Sequence, residues 1–215
     1  MAARIDKVVT SGTFSLDGGT WDVDNNVWIV GDDLEVIIID PAHDVDAIAA
    51  AVGDREVMGI LLTHGHDDHI RAVVEARDRF SAPVLLHDAD RMLWDAVFPD
   101  ETPDDVIEDE DSFEIAGQTL QALHTPGHSP GSVCFLLEGE DGGGEAPVLF
   151  SGDTLFNGGP GATGRSFSDF ATIIDSIRGR LLPLPAETIV NTGHGDSTTI
   201  GAEAPHLDEW IARGH

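Results

Sequence analysis

The chain has 215 residues, 40 of them acidic against 11 basic, for a formal net charge of -29. Such an acidic surface repels phosphate backbones, which sets nucleic acid aside as a partner. No stretch approaches the ~20 apolar residues of a membrane helix.

The length suits a single domain over residues 1–215 with a core of its own. The N-terminus, Met1-Ala2-Ala3-Arg4-Ile5-Asp6-Lys7, has no apolar signal region, so a cytoplasmic location is expected, with no membrane partner. Lys7 is the only lysine. A salt-rich cytoplasm or a GC-rich genome accounts for this charge balance without reference to catalysis.

Short apolar runs alternate with helical stretches along the chain. The opening segment reads as a hairpin, whose Ser11-Gly12-Thr13-Phe14 and Trp21 are either simple hairpin residues or the mouth of a pocket. Strands are predicted over Val27–Val30 and Val36–Ile39, then a helix over Val45–Val52 and a strand over Gly59–Leu62. A helix over Asp67–Phe80 carries Ile70, Val73, Val74 and Arg77 at helical spacing, followed by a strand at Val84–Leu86 and a helix at Ala89–Val97. The acidic runs Asp100 to Asp111 and Glu138 to Glu145 read as solvated loops.

Strands follow at Ser132–Leu137 and Val148–Phe150, with Gly139 to Ala146 as a flexible turn between them. The lone cysteine, Cys134, lies inside the apolar run Val133–Leu137 and reads as a core thiol. A helix over Phe167–Arg180, capped by Ser168 or Ser166, precedes a strand at Thr188–Asn191. The last helix, Ala204–Arg213, has Pro205 in its first turn. This order of elements describes a mixed α/β layered fold.

The segment Thr63-His64-Gly65-His66-Asp67-Asp68-His69 directly follows one of the strand runs. His64 and His66 alternate with Gly65, so two imidazoles can converge on one ion, while Asp68 and His69 point at a second place nearby. Imidazole and carboxylate together suit zinc, and also iron or manganese. Further candidates are His128 in Thr125-Pro126-Gly127-His128, Asp153 in Ser151-Gly152-Asp153, and His194 in Thr192-Gly193-His194-Gly195. Each sits beside glycine, which permits the tight turns that aim a ligand off a strand end. Of the other histidines, His124 is close enough to His128 to orient it, while His43, His87, His206 and His215 lie outside the motifs.

This pattern resembles the metallo-β-lactamase-fold hydrolases, and within them the glyoxalase II-like (hydroxyacylglutathione hydrolase-like) enzymes, from about Asn25 to the C-terminus. The resemblance implies a four-layer αββα sandwich with metals at one rim of the two sheets. It implies two divalent ions, zinc foremost, with His64, His66 and His128 on the first, Asp68, His69 and His194 on the second, and Asp153 bridging. Asp40, at the end of the strand run Val36–Ile39, matches the family's support for the ligand loop; a strand-end turn in Asp-Pro is the plainer reading.

The implied activity is hydrolysis of small-thiol acyl-thioesters by a metal-bridging hydroxide, which Asp68 would help orient. Arg165, after the glycine-rich run Asn157–Gly164, matches roughly where related enzymes carry a basic residue after a glycine, and is either a substrate contact or an exposed loop arginine. That run lacks the Gly-Lys-Ser/Thr of a phosphate-binding loop. Only 21 residues follow His194, too few for the helical region that helps bind glutathione in full-length glyoxalase II, so the thiol carrier stays open. Two other activities fit the motif: a mononuclear iron persulfide dioxygenase using His64, His128 and Asp153, and a lactonase or β-lactamase-like hydrolase.

Overall fold

The computed structural model describes residues 4–138 and 146–214. The expected turn at Gly139 to Ala146 falls outside them except for Ala146, as do the acidic run after Glu138 and His215.

The chain opens with a long antiparallel hairpin of β1 (Arg4–Leu16) and β2 (Gly19–Gly31). Asp17 and Gly18 form its turn with positive φ of 54° and 78°, the two-residue geometry that matches strand twist and favours Asp-Gly. Then come β3 (Glu35–Ile39), α1 (Val45–Val52), β4 (Glu56–Leu61), α2 (Asp67–Ile70), α3 (Val73–Phe80) and β5 (Val84–Leu86). A single 3₁₀ turn, Asp88–Asp90, leads into α4 (Arg91–Val97), followed by β6 (Asp105–Val106). The second half contains β7 (Ser112–Ile115), β8 (Gln118–His124), β9 (Val133–Leu137), β10 (Val148–Gly152), β11 (Leu155–Phe156) and β12 (Gly159–Pro160). It continues with α5 (Phe170–Ser176), β13 (Ile189–Thr192), β14 (Thr198–Thr199), α6 (Ile200–Glu203) and α7 (Leu207–Arg213).

The strands form two six-stranded sheets, ordered β1-β2-β3-β4-β5-β6 and β14-β13-β10-β9-β8-β7, with β11 and β12 as a separate pair. Alternation along each strand builds the layers. Ile37 and Ile39 of β3 meet Val133, Phe135 and Leu137 of β9 in the core between the sheets. Val36 and Ile38 of β3 face the other way, against Ile48 of α1, Val73 and Ala76 of α3, and Trp94 of α4. Across the molecule, Cys134 and Leu136 of β9 pack under Ile173 and Ile174 of α5 and Trp210 of α7. The result is the αββα sandwich. Cys134 is fully buried, as expected of a core thiol.

Several element boundaries differ from the sequence reading. The expected helix Asp67–Phe80 is broken at Arg71-Ala72, because all four residues of α2 are buried around the ligand loop while α3 packs on the sheet. The helix expected over Phe167–Arg180 begins at Phe170, and its cap is Asp169, whose carboxylate accepts the Thr172 N–H. Ser168 and Ser166 do not cap it. Ser168 Oγ instead accepts the Gly164 and Arg165 N–H groups and closes the preceding loop. The run Asp100 to Asp111 is not wholly a solvated loop, since it supplies β6 and the buried Ile107. β7 and β8 were absent from the sequence reading as strands. Among the described residues no helix is long and apolar enough to cross a membrane.

Candidate metal centre

Each motif residue follows a strand. The His64–His69 segment comes after β4, His128 after β8, Asp153 after β10 and His194 after β13, so all reach the same rim of the two sheets. Gly127, Gly152 and Gly195, beside His128, Asp153 and His194, do take positive φ there, at 134°, 48° and 69°.

Two triads of motif donors result, besides a third group that joins Asp40 to His64 and His69. His64, His66 and His128 each offer a ring nitrogen, and these atoms lie within 4.8 Å of one another. His66 Nδ1 and His128 Nε2 approach to 3.0 Å. Asp68, His69 and His194 form the second triad, with His69 Nε2 3.2 Å from His194 Nε2 and Asp68 Oδ2 3.3 Å from His194 Nε2. Asp153 lies between them: its Oδ2 is 3.6 Å from His128 Nε2 and 3.4 Å from His194 Nε2, and its Oδ1 is 3.4 Å from His69 Nε2.

Apart from His66 Nε2, which is buried with no hydrogen-bond partner among the described residues, the outward ring nitrogens are held by oxygen. His69 Nδ1 lies 2.9 Å from Asp40 Oδ2, His128 Nδ1 3.0 Å from the Ala162 carbonyl and His194 Nδ1 2.7 Å from the Asp24 carbonyl. A carbonyl can only accept, so the His128 and His194 rings carry hydrogen on Nδ1 and turn Nε2 inward. His64 Nδ1 is 3.0 Å from Thr63 Oγ1, whose own hydrogen goes to Asp40 Oδ2. Among the described residues the buried atoms His64 Nε2 and Asp153 Oδ1 also have no hydrogen-bond partner. Buried polar atoms are normally satisfied, and a divalent cation at each triad would satisfy these. The residues present therefore fit a pair of ions.

The ion-free charges are unequal. Burial, reinforced by neighbouring imidazoles, pushes His66 down to about 3 and His64 well below its ordinary value. Burial opposes charge on His194 and His69 too, but the nearby Asp153 and Asp68 carboxylates outweigh it, raising His194 to about 10 and His69 well above its ordinary value. For Asp68, burial is overcome by His69 and by hydrogen bonds from His194 and Asn25, which hold it at about 2.

Asp40 acts as a support and not as a mere turn residue. Its carboxylate accepts the Thr63 N–H at 2.7 Å and the Thr63 hydroxyl at 2.5 Å, besides facing His69. His124 touches no motif histidine. It stacks on His87, with ring centroids 4.1 Å apart, and bonds the Pro130 carbonyl at 2.9 Å, bracing the turn after His128. His206 is exposed beside Glu209.

Three supporting residues escaped the sequence reading. Asn25 donates to Asp68 Oδ2 at 3.0 Å, and His43 Nε2 lies 2.9 Å from Asn25 Oδ1. Asn25 and Asn26 are buried amides in a strand otherwise rich in apolar residues, and that oddity was the available signal. Asp90 lies in an acidic stretch, Asp88-Ala89-Asp90, that gave no signal.

Over the triads opens a cavity of about 320 Å³ lined by Phe14, Trp21, Phe156 and Arg165 above His66, Asp68, Asp153 and His194. Larger surface hollows exist, but they contain none of the motif residues. The Arg165 guanidinium carbon lies 3.8 Å from the centre of the Trp21 ring and 5.6 Å from that of Phe14. Of the hairpin residues, Phe14 and Trp21 thus line the pocket, whereas Ser11, Gly12 and Thr13 line a separate surface hollow.

The profile of the family described as the metallo-beta-lactamase superfamily matches residues 20–194. The hydroxyacylglutathione hydrolase GloC of Haemophilus influenzae is 32% identical over 188 residues, covering 80% of this chain and 85% of that one. The crystal structure of the BLEG-1 B3 metallo-beta-lactamase is similar with a TM-score of 0.76 and 34% identity, over 92% of this chain and 98% of the other. TTHA1623, crystallised in a di-iron-bound form, gives 0.69 and 34% over 85% and 93%.

Proposed function

This chain belongs to the metallo-beta-lactamase superfamily, and from that premise we propose that it is a hydrolase of small acyl-thioesters that works with two divalent ions. The observation that carries the reading is the convergence of two donor triads on Asp153 at the floor of a cavity with three aromatic walls and one cation. His64, His66 and His128 would hold one ion, Asp68, His69 and His194 the other, and Asp153 both. Zinc is the ion proposed; the di-iron-bound relative supports a test for iron as well.

Bound divalent ions would supply Lewis acidity, polarising a carbonyl and letting water lose a proton near neutral pH. The protein's own groups do the rest. Asp68, ionised and fixed by Asn25, accepts a hydrogen bond from the attacking water. Arg165, flattened on Trp21, offers its planar donors to an anionic group of the substrate. Phe14, Trp21 and Phe156 cover the acyl group and limit water. A thiolate leaves as a weak base near neutral pH, so the cavity needs no dedicated proton donor.

The GloC relative supports the thioester class, and the BLEG-1 likeness makes a lactam the comparison substrate. The test is a panel of S-acyl glutathione, an S-acyl derivative of another small thiol, the matching oxygen ester and a β-lactam. Turnover favouring the thioesters is expected. Turnover of the lactam alone would overturn the reading, and oxygen consumption with a thiol persulfide would replace it with the dioxygenase.

A further inference from the structure

Asp90 lies outside both triads, yet it joins the two segments that carry the three-histidine half of the site. It has no solvent exposure. Its Oδ2 accepts the Gly65 N–H at 2.8 Å and the Ser129 hydroxyl at 2.6 Å, and its Oδ1 accepts the Gly131 N–H at 2.6 Å. Gly65 separates His64 from His66, and Ser129 follows His128. The fit is close on both sides. A Cβ on Gly131 would sit 2.8 Å from Asp90 Cγ, and one on Gly65 would sit 3.2 Å from Asp90 Cβ. Gly131 is therefore required by the close approach of Asp90, while Gly65 packs tightly against both Asp90 and Leu93. Hydrogen bonds from backbone N–H groups to an ionised acceptor are the stronger kind, and they fix loop positions. Asp40 has no matching role here: it holds Thr63 and His69, within the first segment alone.

We propose that Asp90 is the positioning residue of the His64/His66/His128 site, holding the β4 loop and the β8 turn in the register at which those three rings converge. The inference rests on the reading that these rings hold an ion. Asp90 hydrogen-bonds none of them and acts through the Gly65 and Gly131 N–H groups and the Ser129 hydroxyl. It therefore governs the affinity of this one ion and leaves the ion at Asp68, His69 and His194 nearly unaffected.

The test uses the full chain stripped of metal and titrated with zinc alone against a chromophoric chelator. Histidine NMR assigns each binding step to its rings. Asp90→Asn keeps the shape but turns one acceptor into a donor facing an N–H or hydroxyl. It should weaken the step seen at His64, His66 and His128 by about 10–100-fold, the range found when a ligand's outer partner is removed. The step seen at His69 and His194 should stay within about threefold. Ser129→Ala removes one hydrogen bond and should weaken the same step less, which keeps the inference testable if Asp90→Asn does not fold. Two wild-type-like steps in both variants would overturn the inference alone. Equal weakening of both steps with a lowered melting temperature would also overturn it, by marking Asp90 as a packing residue. A wild-type chain that takes up no zinc would overturn the metal reading itself.

Discussion

His69 and His194 each lie within 3.6 Å of both Asp68 and Asp153. The carboxylates therefore raise both rings in the absence of ions, His194 to about 10, while burial lowers His64 and His66. An ion needs a bare ring nitrogen, so uptake at pH 7.5 should release at least one proton. Calorimetry in buffers of different ionisation enthalpy measures this, and release of none would contradict the charge assignment. The sign for stability follows. His194 is raised above its ordinary 6.5, so its contribution to the ion-free protein is full below that pH and lost as pH climbs toward about 10. Asp68, depressed to about 2, contributes above 3.8 and loses its contribution as pH falls toward 2. With chelator present, the melting temperature should fall between pH 7 and 10; a rise would contradict this. Arg165→Ala should raise KM for an anionic thioester by about tenfold, with kcat and metal content unchanged, as expected for loss of one charge-assisted contact. An unchanged KM would make Arg165 an ordinary exposed arginine. The motif residues were legible because imidazoles and carboxylates in glycine-flanked loops have few other uses. Asn25, His43 and Asp90 were not, because each acts through a partner far along the chain.

The β1–β2 hairpin positions the aromatic wall. Its turn is clasped to the loop that carries Arg165: Asp17 accepts the Ser166 N–H at 3.0 Å and the Ser166 hydroxyl at 2.6 Å. The same end is tied to the ligand helix, where the Ser15 N–H reaches Asp67 at 3.0 Å. Asp17→Ala should speed hydrogen exchange over residues 14–21 and raise KM by a few-fold, leaving metal content alone. Unchanged exchange would show that the clasp does not hold the wall. The central strands were legible from their apolar runs. β7 and β8 were not, since polar Gln118, Thr119 and Gln121 interrupt the pattern and pairing supplies what composition lacks. The break between α2 and α3 was hidden for another reason: Ile70 and Val73 keep helical spacing across it.

The two triads draw on both halves of the sandwich. His64, His66, Asp68 and His69 come from the loop after β4 in the first sheet, whereas His128, Asp153 and His194 follow strands of the second. Ions held between them would join the sheets at their rim. Chelation should accordingly lower the melting temperature by on the order of 10 °C, the linkage expected of tight ligands on a chain of this size; no change would mean that the ions do not span the sheets. The net charge of -29 adds self-repulsion that salt screens. Moving from about 0.05 M to about 1 M potassium chloride should raise the melting temperature, and a fall would show that local ion pairs outweigh the overall repulsion.

The dinuclear site is tested most directly by metal analysis of protein purified without added metal or chelator, alongside Asp153→Ala. We expect about two equivalents of zinc, or of mixed zinc, iron and manganese, per chain, and the loss of at least one in the variant. Close to one equivalent of iron, or an Asp153→Ala variant with its full metal content, would contradict the account.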